Sequence, residues 1–116
     1  MTNKILIAED EIEFKNKYES WASNLGYEII GVSRMDEAIA RLDEVDAVIT
    51  DYGLEQGNGN DLARMAKEHG LPVAGITGGS KSIFDENYVD IPETKRINQG
   101  NFATLVECLF QKKPRE

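Results

Sequence analysis

Cysteine is nearly absent. Cys108 stands alone among 116 residues, so no disulfide can form within the chain. The fold must therefore be held by burial, and a chain of this length can bury a core without covalent staples. One cysteine also suits a reducing compartment, and a cytoplasmic location is expected. Basic residues are scarce beside acidic ones, 13 against 21, which leaves a net charge of −8. Phosphate backbones are gripped by basic patches, so direct nucleic-acid binding is not expected. Long hydrophobic runs are missing too, and none approaches a membrane span. The apolar run at residues 5–8 follows Met1-Thr-Asn-Lys and is ended at once by acids, too early for a signal peptide. Internal repeats and low-complexity tracts are absent. The length fits one domain, predicted over residues 1–112, with residues 113–116 as a tail or the start of a linker.

What remains is a regular alternation of short apolar runs and amphipathic stretches. Lys4-Ile-Leu-Ile-Ala8 reads as a first strand. Phe14, Tyr18, Trp21 and Leu25 then recur at helical spacing and predict one apolar helix face, with Asp10 as N-cap and Gly26 as stop. Residues 27–32 predict a second strand and 36–42 a second helix. Residues 46–50 predict a third strand, followed by a polar loop, rich in Gly and Asn, over 53–59. A helix over 62–68 and a strand over 71–77 come next. Residues 82–87 predict a short helix, 88–91 a short fifth strand, and 101–112 a final helix carrying Phe102, Leu105, Val106 and Leu109 on one face. Strands joined through helices imply a mostly parallel sheet with helices on both faces. With strand order 2-1-3-4-5, the ends of the first and third strands are neighbours at a topological switch point, where such sheets bind ligands.

Chemistry collects at that edge. Glu9 and Asp10 follow the first strand, Asp51 ends the third and Thr77 ends the fourth. Each has an ordinary reading by itself. Acids favour a helix N-terminus, an Asp before Gly starts turns, and Thr is a common strand residue. Together they group carboxylates that repel one another unless a cation is present. Mg²⁺ takes oxygen ligands and commonly binds through one or two carboxylates plus a phosphate. An aspartate beside such a cation can attack a phosphoryl group and form an aspartyl phosphate. His69 reads as a helix C-terminal residue, and Cys108 as a small buried hydrophobe.

In order and spacing, these motifs resemble the response-regulator receiver domains of two-component signalling over nearly the whole chain. Lys4-Ile-Leu-Ile-Ala-Glu9-Asp10-Glu11 is similar to the family's first strand and acid pair. Asp46-Ala-Val-Ile-Thr-Asp51 is similar to the strand that ends in the phosphoacceptor. Leu54 and Gly59 stand at family spacings from Asp51, and Leu71-Pro-Val-Ala-Gly-Ile-Thr77 resembles the strand bearing the switch threonine. The resemblance implies a (βα)5 doubly wound parallel sheet of flavodoxin-like order 2-1-3-4-5, a three-layer sandwich. It implies Asp51 as phosphoacceptor, Glu9, Asp10, Asp51 and the Gly53 carbonyl as Mg²⁺ ligands, Thr77 as the hydroxyl that meets the phosphoryl group, and open access beside Gly78. Lys95, seven residues before Phe102, takes the family's lysine role, with Lys81 as the alternative.

The chain departs from the family where a signal would leave it. Glu55 stands where Pro is usual, Arg96 replaces the Pro after the lysine, and Pro92 occupies the aromatic switch position. The segment between Thr77 and Lys95 is short. The function expected from the resemblance is that of a phosphoacceptor taking a phosphoryl group from a histidine kinase or phosphotransfer protein. It would then bind a downstream protein, or a second copy, through the face of the fourth helix, fifth strand and fifth helix. No enzyme activity is expected beyond self-phosphorylation and autodephosphorylation at Asp51. The alternative is a pseudo-receiver that signals by docking alone.

Overall fold

The computed structural model describes residues 3–112. The tail predicted at 113–116 lies outside the described residues. The strands are β1 (Lys4–Ala8), β2 (Glu28–Val32), β3 (Ala47–Asp51), β4 (Val73–Thr77) and β5 (Ile91–Thr94). They form one sheet in the order β2-β1-β3-β4-β5, with every neighbouring pair parallel. The helices are α1 (Ile12–Asn24), α2 (Met35–Ala40), α3 (Gly59–Glu68) and α4 (Gln99–Gln111). Among the described residues, no helix is long and apolar enough to cross a membrane.

Period-two alternation explains the layers, because successive strand side chains point to opposite faces. Leu6, Ala8, Val48 and Val73 face one way, into a core shared with Ala38, Leu62, Ala63 and Ala66 of α2 and α3. Ile5, Ile7, Ile49, Ala74 and Ile76 face the other way, against Tyr18 and Ala22 of α1 and Phe102, Val106 and Leu109 of α4. All five residues of β3 and of β4 are buried, as expected of central strands covered on both faces. Each fully buried Ile or Leu contributes roughly 1.5–3 kcal/mol. Tyr18 stacks on Phe102 at 5.5 Å and joins the two helices of the second layer.

Several boundaries differ from the sequence expectation. Helix α1 starts at Ile12, and Asp10 is not its cap; the N-cap is Glu11, whose side chain makes no capping bond. The helix does end before Gly26, which has φ +93°. Leu25 is exposed, since it falls past the buried face of the final turn. Helix α2 is shorter than predicted and passes into a 3₁₀ turn at Leu42–Glu44. The loop after β3 holds a small antiparallel hairpin, Gly53–Leu54 against Gly57–Asn58, in which Gln56, not a glycine, takes the positive φ. Asn58 then caps α3 by accepting from Asp61 N, and this starts the helix at Gly59.

The largest difference lies between β4 and β5. The predicted helix over 82–87 is only a 3₁₀ turn, Lys81–Ile83. The predicted strand over 88–91 is displaced: only Ile91 of it is strand, as the first residue of β5. Tyr88 and Val89 turn back on Asp85 O, and Val89 is buried in the first core. Their apolar pattern covers the sheet face that a helix would otherwise cover. Asp90 fixes the end of this segment by accepting from Val73 N and pairing with Lys67. The strand follows at Ile91–Thr94. Cys108 is half-buried rather than buried, on the rim of a cavity of about 250 Å³ between β5 and α4.

Candidate functional site

Five parallel strands end on one edge, and their register decides which side chains meet there. Glu9 extends β1 by one residue, donating its N–H to Val32 O at 3.0 Å. Asp51 ends β3 and pairs with Ile76; Thr77 ends β4 and pairs with Thr94. The next amide, Lys95 N–H, donates to Thr77 O at 2.9 Å. Sheet pairing therefore delivers Lys95 to the edge that holds the acids.

The Lys95 ammonium sits among three carboxylates. Its Nζ lies 2.8 Å from Glu11 Oε1, 3.3 Å from Asp51 Oδ2 and 3.3 Å from Glu9 Oε1. It also lies over the Phe14 ring, 4.4 Å from the centroid, in cation–π geometry. Burial works to lower its pKa, but the Glu11 hydrogen bond and the charges of Glu9 and Asp51 outweigh burial and hold it above the ordinary lysine range. Lys81, the other lysine considered, pairs with Glu93 at 3.3 Å and stays half-exposed.

The acids are not equivalent. Glu9 is buried, and Asp10 and Glu11 are exposed. Burial first, and Asp51 beside it, push the Glu9 carboxyl up to about 8, against the opposing pull of the Glu11 N–H and of Lys95. Asp51 is buried, and its Oδ1 accepts from Tyr52 N at 2.8 Å. Oxygens of Glu9, Asp10, Glu11 and Asp51 all lie within 4.8 Å of one another. Glu9 Oε1 is buried and, among the described residues, accepts no hydrogen bond. An all-oxygen donor set whose negative charge exceeds what the one lysine balances fits a hard divalent cation such as Mg²⁺.

The rim is built of small residues. Thr77 is buried, and its Oγ1 accepts from Gly79 N at 3.1 Å. Gly78 and Gly79 are exposed beside it. A Cβ at Gly59 would stand 2.5 Å from the Asp51 carbonyl oxygen. Only glycine lets α3 start this close to the strand that presents Asp51. Gly53 is exposed in the small hairpin, two residues past Asp51.

The edge thus brings together Glu9, Asp10, Asp51, Thr77 and Lys95 and leaves Lys81 outside. Sequence reading missed Glu11 and Phe14 as contacts of Lys95. Glu11 was visible only as a third acid in a row, and Phe14 as one member of a helix face.

No protein-family model and no curated protein matches the chain. Solved structures do. A CheY-like response regulator receiver domain protein from Methanospirillum hungatei superposes with TM-score 0.88 at 19% identity, covering 97% of each chain. A response regulator receiver protein from Sinorhizobium medicae gives TM-score 0.87 at 26% identity, covering 97% of this chain and 98% of its own. The receiver domain of a sensor histidine kinase from Pseudomonas aeruginosa, solved with a magnesium ion coordinated in its active-site cleft, gives 0.82 at 15%, covering 97% and 100%. The chain has the fold of response-regulator receiver domains.

Proposed function

We propose that this domain accepts a phosphoryl group on Asp51 and thereby switches the binding of a protein partner in a phosphorelay. The observation that carries this reading is the Lys95 ammonium. It comes from 44 residues away to stand 3.3 Å from Asp51 Oδ2, inside a cluster of carboxylates. An Asp oxygen of this kind attacks phosphorus in line; the phosphorus–nitrogen bond of a phosphohistidine breaks, and the imidazole leaves with its electron pair and takes up a proton. Glu9, Asp10 and Asp51, with the Gly53 carbonyl, would hold Mg²⁺, which when bound offsets charge on the transferring oxygens. Lys95 then exchanges its bond to Asp51 Oδ2 for one to a phosphoryl oxygen, and Thr77 donates its hydroxyl to another. The exposed glycines at 78 and 79 leave the approach open. The reaction expected of the domain is limited to taking up and losing this group, in the cytoplasm where phosphohistidine donors act.

The test is exposure to acetyl phosphate with Mg²⁺, read by intact mass, beside an Asp51→Asn control. A phosphoryl adduct on the wild type alone supports the reading. No adduct, together with no response to beryllofluoride, sinks it. A second reading draws on Pro92, which is exposed and carries no aromatic ring to follow Thr77. In it the domain docks a partner without phosphorylation, and Asp51→Asn would leave partner binding intact.

A further inference from the structure

The segment between β4 and β5 is not a helix that can shift as a unit. Its exposed stretch, residues 80–87, hangs on two pegs, ahead of the anchor that Asp90 makes to Val73 and Lys67. The first is Phe84, buried flat against β4 at Gly75, where even a Cβ would stand 2.6 Å from its ring. The second is Asn60, which donates from Nδ2 to Ile83 O at 2.9 Å and accepts at Oδ1 from Asp85 N at 2.8 Å. Both pegs lead back to the same residue. The Tyr52 ring meets Phe84 edge-on, with centroids 6.1 Å apart. The Tyr52 carbonyl accepts from Gly59 N, the first residue of the helix that carries Asn60. Tyr52 N–H itself donates to Asp51 Oδ1.

We infer that Tyr52 is the positioning residue that transmits the state of Asp51 to residues 80–87, through its ring to Phe84 and through its carbonyl to α3 and Asn60. This rests on the phosphoacceptor reading above. A phosphoryl group on Asp51 Oδ2 leaves Oδ1 as an uncharged carbonyl oxygen, a weaker acceptor than a carboxylate oxygen. The bond that holds the Tyr52 amide is then weakened, and the peptide carrying it turns. A turn there tilts the ring against Phe84 and moves the start of α3, so both pegs shift together. The segment they hold is otherwise mostly exposed, Ile83 included, and Lys81 pairs from it with Glu93 of β5. It is the part of the surface that changes. Such a route needs no aromatic ring at Pro92.

The test follows backbone amide shifts on adding beryllofluoride with Mg²⁺ to the whole domain. Glu9, Asp10 and Lys95 report the pocket; Ile83, Phe84 and Asp85 report the segment. In the wild type both groups shift. In Tyr52→Leu the pocket shifts persist and the shift at Phe84 is lost, with those at Ile83 and Asp85 kept through the backbone carbonyl and Asn60, while Tyr52→Phe restores the Phe84 shift, because the ring and not the hydroxyl makes the contact. Asn60→Ala, which removes one peg and leaves Tyr52 in place, loses the response at Ile83 and Asp85 and keeps that at Phe84; should Tyr52→Leu fail to fold, this variant decides. A pocket response without a segment response in the wild type overturns the inference alone. So does a Phe84 response that survives Tyr52→Leu, or a response at Ile83 and Asp85 that survives Asn60→Ala, either of which would assign transmission to Thr77 and Gly79. No response at the pocket overturns the phosphoacceptor reading as well.

Discussion

Replacing Lys95 by Met keeps most of the apolar stem and removes the charge. Among the described residues, Lys95 is the only cation in salt-bridge range of Glu9 and Asp51. The side chains of Lys95 and Asp51 are 11% and 9% exposed, and that of Glu9 is 1% exposed. Removing one partner of a buried ionic group typically costs about 3–5 kcal/mol. A position at the sheet edge lowers this, so a loss of about 3 kcal/mol is expected without metal. Its pH dependence follows from Glu9. Burial and Asp51 push the Glu9 carboxyl up to about 8, above the ordinary value of 4.5. Stability from the protonated carboxyl is therefore fully present below 4.5 and lost as pH rises through about 8. In metal-free Lys95→Met the cost is then smaller near about pH 6, where Glu9 carries its own proton with or without the lysine, than near about pH 9, where only the wild type has a cation to balance the ionised carboxylate. Urea denaturation in EDTA and in Mg²⁺, at both pH values, measures it. Mg²⁺ is expected to recover most of the loss. An equal loss in all four conditions would refute the electrostatic account and assign the role of Lys95 to packing on Phe14.

Three further outcomes follow from local geometry. Gly75→Ala brings a methyl into the Phe84 ring and should cost about 1–3 kcal/mol by denaturation; combining it with Phe84→Leu should cost less than the sum of the two single changes. Tyr18→Phe removes a buried hydroxyl with no hydrogen-bond partner among the described residues and keeps the stack on Phe102. Thermal melts should show stability unchanged or raised by up to about 1 kcal/mol. Asn58→Ala removes the side-chain cap of α3 at Asp61 N and should cost about 1 kcal/mol, with Asn58→Asp retaining most of the stability.

The sheet and its order could be read from the sequence because β1, β3 and β4 are short apolar runs between amphipathic segments, a pattern with few topological solutions. The edge where Glu9, Asp51 and Thr77 meet was legible for the same reason, since each residue stands at the end of such a run. Lys95 was found by spacing from Phe102 and not by any pattern of its own, because its position is set by β5, the least apolar strand. Residues 82–90 were misread. Ile83, Phe84, Tyr88 and Val89 give an apolar density that fits a helix or a strand, and local sequence cannot show that Phe84 plugs the space over Gly75. The cap of α1 was misread because Asp10 has a good cap residue's chemistry, whereas the backbone enters the helix one residue later, through Glu11. The roles of Phe14 and Glu11 depend on where Lys95 ends, a contact across more than eighty residues that no local pattern encodes.

The bond from Lys95 N–H to Thr77 O has a consequence for how such a domain can vary. It fixes the lysine by strand pairing, so the length of chain between the two residues does not enter the geometry of the reactive edge. Thirteen residues separate β4 from β5 here, from Gly78 to Asp90. That stretch can be cut, lengthened or rebuilt while the register of Thr77 with Thr94 holds the chemistry in place. The reactive edge and the exposed segment are two separately heritable parts. A new surface can be installed in one without retuning the other, provided the replacement keeps a plug for the space above Gly75 and a hold on Asn60.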